Sequence, residues 1–185
     1  MKSKYLKPSL LIGAILAAQS AAALAAVCSV PSAGYPTIQA AVDDPTCTTI
    51  TVAPGIYSEN VSIPRSLTLN GAQAGQPTAN RISGGPAEST VIGADPTGAQ
   101  AVFRINAPSV TIDGFTVRNA VVAGNATGID IGAGSNDAVV FNNFLDGLDA
   151  PSGAAQGVYV RNGSINVHLA NNDIRNVTAS GRAAG

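Results

Sequence analysis

The residues best suited to chemistry are Arg104, Asp130 and Tyr159, which follow one another at intervals of 26 and 29 positions. Each lies in an alternating run of apolar and polar residues, so on a β-strand its side chain would point away from the core. A planar ring beside charged hydrogen-bonding groups can hold a sugar. The alternative, which the pattern favours, is a surface ion pair between Arg104 and Asp130 worth about 0–1 kcal/mol, beside an uninvolved tyrosine. Under both interpretations we predict that these three side chains form one exposed column across neighbouring strands.

Other polar residues give weaker signals. Arg118, Asp146 and Arg175 recur in the same way, and their alternating charges avoid like-charge contacts, which favours a structural role. The only histidine, His168, has no carboxylate placed by the pattern to orient it, so no catalytic residue is assigned. Calcium could bind scattered acids, but no recognised loop spacing supports it, and we predict no metal site and no cofactor. Those acids are Asp113, Asp137, Asp149 and Asp173.

A repeat must position these side chains. Residues 128–147 align with residues 157–176 without a gap, at an offset of 29. The alignment keeps apolar residues at alternating positions, and an earlier copy begins at Phe103. Internal periods of this size are typical of stacked repeat architectures. The identical pairs are Gly128 and Gly157, Gly134 and Gly163, Ser135 and Ser164, Asn142 and Asn171, and Asn143 and Asn172.

The pattern inside each unit predicts the architecture. Two runs of strand length are separated by a turn rich in Gly, Asn and Ser, and no segment between them is long enough for a crossover helix. Short strands with sharp corners can stack in parallel only if the chain coils, with about 4.8 Å between successive turns. The sequence therefore predicts an all-β fold: a right-handed parallel β-helix solenoid of about four rungs over residues 61–177. Asparagine ladders are expected at its corners.

The first 26 residues have the features of a signal peptide. Three lysines precede an apolar run, and residues 23–25 supply an A-x-A cleavage site. The alternative is a membrane anchor, but the Ala-rich end makes the segment only weakly hydrophobic. We expect export to the periplasm, the cell surface or the medium, with no membrane insertion after cleavage.

The chain beyond that segment is acidic. It contains seven basic and eleven acidic residues, a net charge of −4, which disfavours nucleic acid or an anionic membrane as partner. Hydrophobic residues make up 45% of the chain, which excludes the composition of a disordered protein. The length of 185 residues is enough for one domain with a core.

Both cysteines lie soon after the signal segment. Cys28 and Cys47 are 19 positions apart, and in an exported protein we expect them to pair. Closing this loop would stabilise the fold by about 3 kcal/mol on the chain-entropy model. The disulfide would belong to an N-terminal unit, residues 27–60, which also contains a short capping helix at 36–43 and the first strand.

A family resemblance is carried by the early segments YPTIQAAVDD, TITVAPGIYSENVSI and SLTLNGA, and by the later VTIDGFTVRN, FNNFLDG and NVHLANNDIRN. Over residues 35–176 the chain resembles the pectin-lyase-like β-helix proteins. That superfamily includes pectate lyases, pectin methylesterases, polygalacturonases and many bacterial surface proteins. The resemblance implies a right-handed parallel β-helix whose ligand lies along the outside of one sheet.

The resemblance does not extend to catalytic motifs. Residues 55–59 match the G-x-Y-x-E found near the start of pectin methylesterases, but the paired aspartates of that family have no counterpart. The N-T-D, D-D and G-H-G signatures of polygalacturonases, and the arginine base and aspartate cluster of pectate lyases, are also missing. Glu59 therefore receives no catalytic role, and we predict that residues 55–59 form a turn into the next rung.

Two segments lack the repeat pattern. Residues 72–100 are rich in Gly, Pro and Ala, and we predict a long loop interrupted by one strand at Val91-Ile92. Residues 178–185 form a polar tail without a capping helix, which would leave the last rung open. Either the chain is part of a longer protein, which we favour, or a partner covers that end, for example by self-association.

These observations lead to two functional hypotheses. In the first, the chain is an exported β-helix scaffold that binds polysaccharide or another surface along its outer face. In the second, it is the N-terminal part of a polysaccharide lyase, esterase or hydrolase whose active site lies downstream.

Overall fold

The computed structural model describes residues 26–119 and 123–185, so residues 1–25 of the predicted signal segment lie outside the described part. The described residues form an all-β protein with three parallel sheets. The strands in chain order are β1 (Ala26–Val30), β2 (Cys47–Val52), β3 (Gly55–Ser58), β4 (Val61–Ile63), β5 (Thr68–Asn70), β6 (Ser89–Gly93), β7 (Phe103–Ile105), β8 (Thr111–Asp113), β9 (Phe115–Asn119), β10 (Ala126–Ile131), β11 (Val139–Phe141), β12 (Phe144–Ala150), β13 (Ala154–Val160), β14 (His168–Ala170), β15 (Asp173–Ala179) and β16 (Arg182–Ala184).

Successive strands contribute to the three sheets in turn. Sheet A has the order β1-β2-β5-β8-β11-β14, sheet B the order β15-β12-β9-β6-β3, and sheet C the order β16-β13-β10-β7-β4. From β2 onward, every third strand returns to the same sheet and pairs in parallel with the strand that preceded it there. Sheets B and C contain five strands and sheet A six, which is more than the four or so rungs predicted.

The strand register confirms the offset of 29 between the two repeat units. Ile129 pairs with Val158, and Ile131 lies between Ile105 and Val160 in sheet C. The earlier copy is also in register, because Phe103 pairs with Ile129. Phe103, Ile105, Ile129 and Ile131 are fully buried at these alternating positions and belong to one continuous core, whereas Val158 is only partly buried. The core is therefore built of columns in which each side chain packs on its counterpart in the neighbouring strand.

A short helix, α1 (Ile38–Asp43), forms within the predicted stretch 36–43, and a 3₁₀ turn lies at Thr78–Asn80. The Oγ1 atom of Thr37 accepts a hydrogen bond from the Ala40 amide at 3.1 Å, which caps the first turn of α1. The Glu59 carboxylate accepts two more, from the amides of Ile38 at 3.0 Å and Gln39 at 2.9 Å. Glu59 therefore binds the start of the helix. The predicted turn at residues 55–59 is wrong, since residues 55–58 form strand β3 and pair with β6.

The corner between sheets A and B contains the expected asparagine ladder. Asn143 is fully buried, and its Oδ1 atom accepts a hydrogen bond from the Phe115 amide at 3.0 Å. Its Nδ2 atom donates to the Ile112 carbonyl at 3.1 Å, and its own amide donates to Oδ1 of Asn172 at 3.0 Å. Side-chain amides thus replace the backbone hydrogen bonds that a sharp corner interrupts.

The loop of residues 71–88 packs on the outside of sheet B instead of extending into solvent. It passes close to Gly114, where a Cβ atom would lie 2.1 Å from the Ala74 amide nitrogen, so only glycine allows this approach. Arg81 and Glu88 of the loop form a buried ion pair with an Nη2–Oε2 distance of 2.6 Å. The Glu88 carboxylate also accepts a hydrogen bond from Thr116 in β9 at 3.1 Å. The loop therefore covers outward-facing residues of sheet B.

The final residues add to the sheets. The predicted polar tail, residues 178–185, includes the end of β15 and the whole of β16, which pairs with β13. Apolar side chains nearby are exposed: Val160 at 39%, Leu169 at 47% and Ile165 at 60%. The inward columns that are buried in the earlier strands thus become accessible in the last ones.

The Cys28–Cys47 disulfide is formed, which confirms the predicted pairing. It joins β1 to β2, and both cysteines are buried. Replacing both by alanine should lower the free energy of unfolding by about 3 kcal/mol, because the unfolded chain regains the entropy of the open loop. Urea denaturation would measure the difference. The reduced wild type should match the double variant, and an unchanged urea midpoint would contradict the prediction.

Replacing Asn143 by alanine should lower the free energy of unfolding by about 2–3 kcal/mol, because the Phe115 amide and the Ile112 carbonyl lose their partner inside the protein. The matched control is Asn162→Ala in an exposed turn, for which a change below about 0.5 kcal/mol is expected. Equal losses for the two variants in thermal or urea denaturation would show that the ladder does not stabilise the corner.

Candidate functional site

The three predicted site residues are neighbours on the outer face of sheet C. Asp130 in β10 pairs with Arg104 in β7 on one side and with Tyr159 in β13 on the other. Ser62 in β4 lies beyond Arg104 in the same column. The register that stacks the inward aliphatic columns therefore also stacks this outward polar column.

The exposure of the column differs from the prediction at Asp130, which is only 2% exposed. Two guanidinium groups cover its carboxylate. Arg161 binds it through Nε–Oδ1 and Nη2–Oδ2 contacts of 2.8 Å each, and Nη2 of Arg104 lies 3.2 Å from Oδ2. The ion pair between Arg104 and Asp130 exists, but it is part of a three-residue cluster with a buried centre. We call Arg104, Asp130 and Arg161 the arginine–aspartate cluster.

Arg161 was not among the predicted site residues. It follows the last residue of β13, and in the repeat alignment it falls opposite Gly132, so no column contained it. Its guanidinium carbon lies 5.3 Å from the centre of the Tyr159 ring. The hydrogen bond to Asp130 and the negative charge of that carboxylate raise the pKa of Arg161 above its usual value. The group is therefore a permanent cation, held between a carboxylate and an aromatic ring.

A cavity of about 330 Å³ opens beside the cluster. Its polar lining includes the two arginines, Asp130 and Tyr159, together with Asn125, Thr127 and Gln156. A second cavity of about 200 Å³ lies beside β4 and shares Ala101 and Arg104 with the first. The two together form one groove along sheet C, and the first alone has the volume of a small-molecule site.

The wall of the groove is the loop of residues 94–102, and it is held in place by hydrogen bonds. Oδ1 of Asn60 accepts from the amides of Ala94 at 2.9 Å and Asp95 at 2.8 Å, and its Nδ2 donates to the Ala101 carbonyl. Hydrogen bonds from the Thr97 hydroxyl and amide lower the pKa of Asp95, so its carboxylate is ionised at neutral pH. A wall fixed in this way keeps the groove open without a ligand.

Of the second set of recurring charged residues, Arg118, Asp146 and Arg175, only the first two form an ion pair with each other on sheet B. Nη2 of Arg118 lies 3.5 Å from Oδ2 of Asp146, whereas Arg175 contacts Asp173 at 2.5 Å. Burial acts to raise the pKa of Asp146, but the hydrogen bond that its Oδ1 atom accepts from Nδ2 of Asn176 and the positive charges of Arg118 and Arg175 outweigh it, and the pKa is lowered. Nη2 of Arg118 also donates to the Ser83 carbonyl at 3.5 Å, which links the 71–88 loop to sheet B.

The remaining candidates lie apart from the groove. His168 is exposed in β14, in register with Val139 and Thr111. Within residues 26–119 and 123–185, no group of three or more His, Cys, Asp or Glu side chains could hold a metal ion. Two of the scattered acids accept hydrogen bonds from asparagines of the next repeat. Asp113 accepts from Asn142 at 2.8 Å, and Asp137 accepts from Asn166 at 3.1 Å.

Comparison of the chain with protein-family models gave no match, and comparisons with curated proteins and with solved structures likewise gave none. No helix in the described ranges is long and apolar enough to cross a membrane.

Replacing Asp130 by asparagine should lower the free energy of unfolding by about 2 kcal/mol, because two guanidinium groups lose their shared counter-charge while the shape is kept. Urea denaturation would measure the loss. Asp173→Asn is the control, since it breaks an exposed pair with Arg175 and should cost less than about 1 kcal/mol. If both variants lose the same amount, Asp130 does not organise the cluster.

Proposed function

We propose that this chain is an exported right-handed parallel β-helix that binds polysaccharide along the outer face of sheet C, as a scaffold and not as a catalyst. The proposal has three parts, the fold, the location and the ligand. Each is supported by a different set of observations.

The order of the strands supports the β-helix. A chain that visits sheets A, B and C in turn, and then starts again one strand further on, follows a coil. Parallel strands joined by a crossover in one sheet are right-handed in about 98% of cases, which favours a right-handed coil. In this fold β1 and α1 cover the first coil, since the buried residues of α1 pack against β1, β2 and β4. The resemblance to pectin-lyase-like proteins leads to the same proposal.

The disulfide and the charge of the chain support export. Disulfides persist in oxidising compartments, and Cys28–Cys47 lies directly after the predicted signal segment. The net charge of −4 beyond that segment argues against nucleic acid as the ligand. We therefore propose a periplasmic, surface or secreted location.

The single observation that carries the ligand proposal is the position of Tyr159 at the rim of the groove. Tyr159 is 40% exposed, its ring lies 5.3 Å from the guanidinium carbon of Arg161, and both Arg161 and Arg104 line the same cavity. An aromatic face with fixed hydrogen-bond donors around it can contact the apolar face of a sugar ring and its hydroxyl groups together. The groove also runs across β4, β7, β10 and β13, which suits an extended chain more than a compact metabolite.

Electrophoresis of the purified protein in native gels cast with different polysaccharides tests the proposal. At least one polysaccharide should retard the wild type, and Tyr159→Ala should weaken that retardation about fivefold, because about 1 kcal/mol of ring contact is lost. The variant is expected to fold normally, since Tyr159 is 40% exposed and is not part of the hydrophobic core.

Two controls make the result specific. Tyr159→Phe keeps the ring and should retain most of the binding, whereas Ile56→Ala removes an apolar side chain that is 74% exposed on sheet B and should change nothing. Retardation that is equal for wild type and Tyr159→Ala, or absent with every polysaccharide, would contradict the proposal.

A further inference from the structure

The sequence contains two Asn-Gly pairs, Asn70-Gly71 and Asn162-Gly163. An asparagine that precedes glycine can react with its own backbone, because glycine has no Cβ atom to keep its amide nitrogen away from the preceding side chain. The attack of that nitrogen on Cγ of the asparagine needs an accessible side chain, an amide that makes no hydrogen bond, and space for the backbone to rotate. The two pairs differ in all three respects.

Asn162 and Gly163 are the central residues of an exposed turn. The Ser164 amide donates to the Arg161 carbonyl at 3.3 Å, which closes the turn. In the part of the chain that the structure describes, no hydrogen bond engages the Asn162 side chain or the Gly163 amide. A Cβ atom on Gly163 would meet no other heavy atom within 4 Å, so the turn has space around it. This pair meets all three conditions.

The exposure of this turn belongs to the repeat and does not depend on its place near the final strands. The repeat alignment sets Ala133 opposite Asn162 and Gly134 opposite Gly163. The earlier turn is closed in the same way, by the Ser135 amide, and both its central residues are exposed although another repeat follows. Gly134 and Gly163 also share a positive φ, +76° and +88°. The two turns therefore offer the same environment with and without a reactive side chain.

The other pair, Asn70-Gly71, is held inside sheet A. Asn70 ends β5 and pairs with Thr51 on one side and Asp113 on the other. The Gly71 amide donates to the Asp113 carbonyl at 2.8 Å, so its nitrogen is engaged. A Cβ atom on Gly71 would lie 2.4 Å from the Gly114 carbonyl oxygen, which shows how closely the backbone is packed. This nitrogen can attack only after the sheet opens locally, which is a rare event.

We propose that Asn162 is a site of self-modification, at which the folded protein converts the asparagine to isoaspartate and aspartate while Asn70 stays intact. The Gly163 nitrogen forms a bond to Cγ of Asn162, the bond from Cγ to the side-chain nitrogen breaks, and ammonia leaves with the proton of the Gly163 amide. Water then opens the cyclic imide at one of its two carbonyl carbons. The net change is hydrolysis of an amide, so no oxidant, reductant or cofactor takes part.

The product changes the edge of the groove on sheet C. It adds one negative charge to the net charge of −4 beyond the signal segment. The isoaspartate form also adds one carbon atom to the backbone between Arg161 and Ser164. Arg161 lines the groove and binds Asp130 through two contacts of 2.8 Å, so the modified residue directly follows a member of the arginine–aspartate cluster. Older molecules therefore differ from new ones at this position.

Incubation of the purified protein in mildly alkaline buffer, followed by chymotryptic peptide mapping with mass spectrometry, tests the proposal. The peptide that contains Asn162 should gain the mass of an amide-to-acid conversion at least about tenfold faster than the peptide that contains Asn70, because local opening of the sheet limits the second reaction. Labelling by an isoaspartyl methyltransferase would detect the isoaspartate product. In concentrated urea the two peptides should react at similar rates, since the sheet no longer protects Asn70.

Two variants separate the turn from the sequence pair. Asn162→Ala gives this turn the residue of the preceding repeat and should abolish the mass gain in this peptide. Ala133→Asn places the reactive pair in the equivalent turn and should create a second site with a rate similar to that of Asn162. Both positions are exposed, so the fold should be unchanged, and far-ultraviolet circular dichroism would check it.

Three results would overturn the proposal. The first is an equal rate for Asn70 and Asn162 in the folded protein. The second is an Asn162 that reacts in urea but stays unchanged in the folded protein over the same time. The third is an Ala133→Asn variant whose new pair does not react, since the turn would then not be the cause. None of these measurements involves a polysaccharide, so they can fail while the proposed function holds, and the reverse.

Discussion

In-register pairing of parallel strands is the interaction on which the rest of this structure depends. Side chains alternate between the two faces of a strand, so a slip of one residue exchanges the buried and the exposed set. In β10 such a slip would turn Ile129 and Ile131 outward and bring Asp130 into the aliphatic core. The core therefore specifies the register, and the register places Arg104, Asp130 and Tyr159 side by side.

Much of this arrangement could be predicted from the sequence because it follows from local periodicity. The offset of 29 between two repeat units gives the pairing of β10 with β13, and the repeated Asn-Asn indicates the buried ladder at Asn143. Arg161 could not be found in this way. It lies just past a strand, where alternation no longer determines direction, and its long side chain reaches back to Asp130.

A loop was predicted at residues 72–100, but its packing on sheet B could not be predicted, for a different reason. Its contacts with sheet B join residues that are far apart in sequence. Arg81 lies 5.0 Å from the centre of the Phe144 ring, and Thr116 donates a hydrogen bond to the Glu88 carboxylate. No periodic pattern encodes such contacts. The loop explains why Phe144, which faces outward from sheet B, is fully buried.

An arginine–carboxylate ion pair occurs both beside sheet B and on sheet C, but its role differs between the two. In the 71–88 loop, the side chains of Arg81 and Glu88 are 4% and 2% exposed, so that pair is closed to ligands. Its contacts with Thr116 and Phe144 hold the loop to sheet B. On sheet C only the carboxylate of Asp130 is buried, and the arginines face a cavity. Both faces have such an ion pair. They differ in how far the arginine is exposed: it is buried beside sheet B and accessible on sheet C.

The 71–88 loop also affects how the protein unfolds. Stacked repeats normally touch only their immediate neighbours, so they can fray from one end a unit at a time. Here the loop leaves β5, yet Thr78 donates to the Asn171 carbonyl at 3.2 Å and Arg81 donates to the Asn142 carbonyl. Both acceptors lie several strands further along the stack. Detaching the final strands must therefore also loosen a segment anchored near the beginning, which makes unfolding more cooperative than the repeat alone would allow.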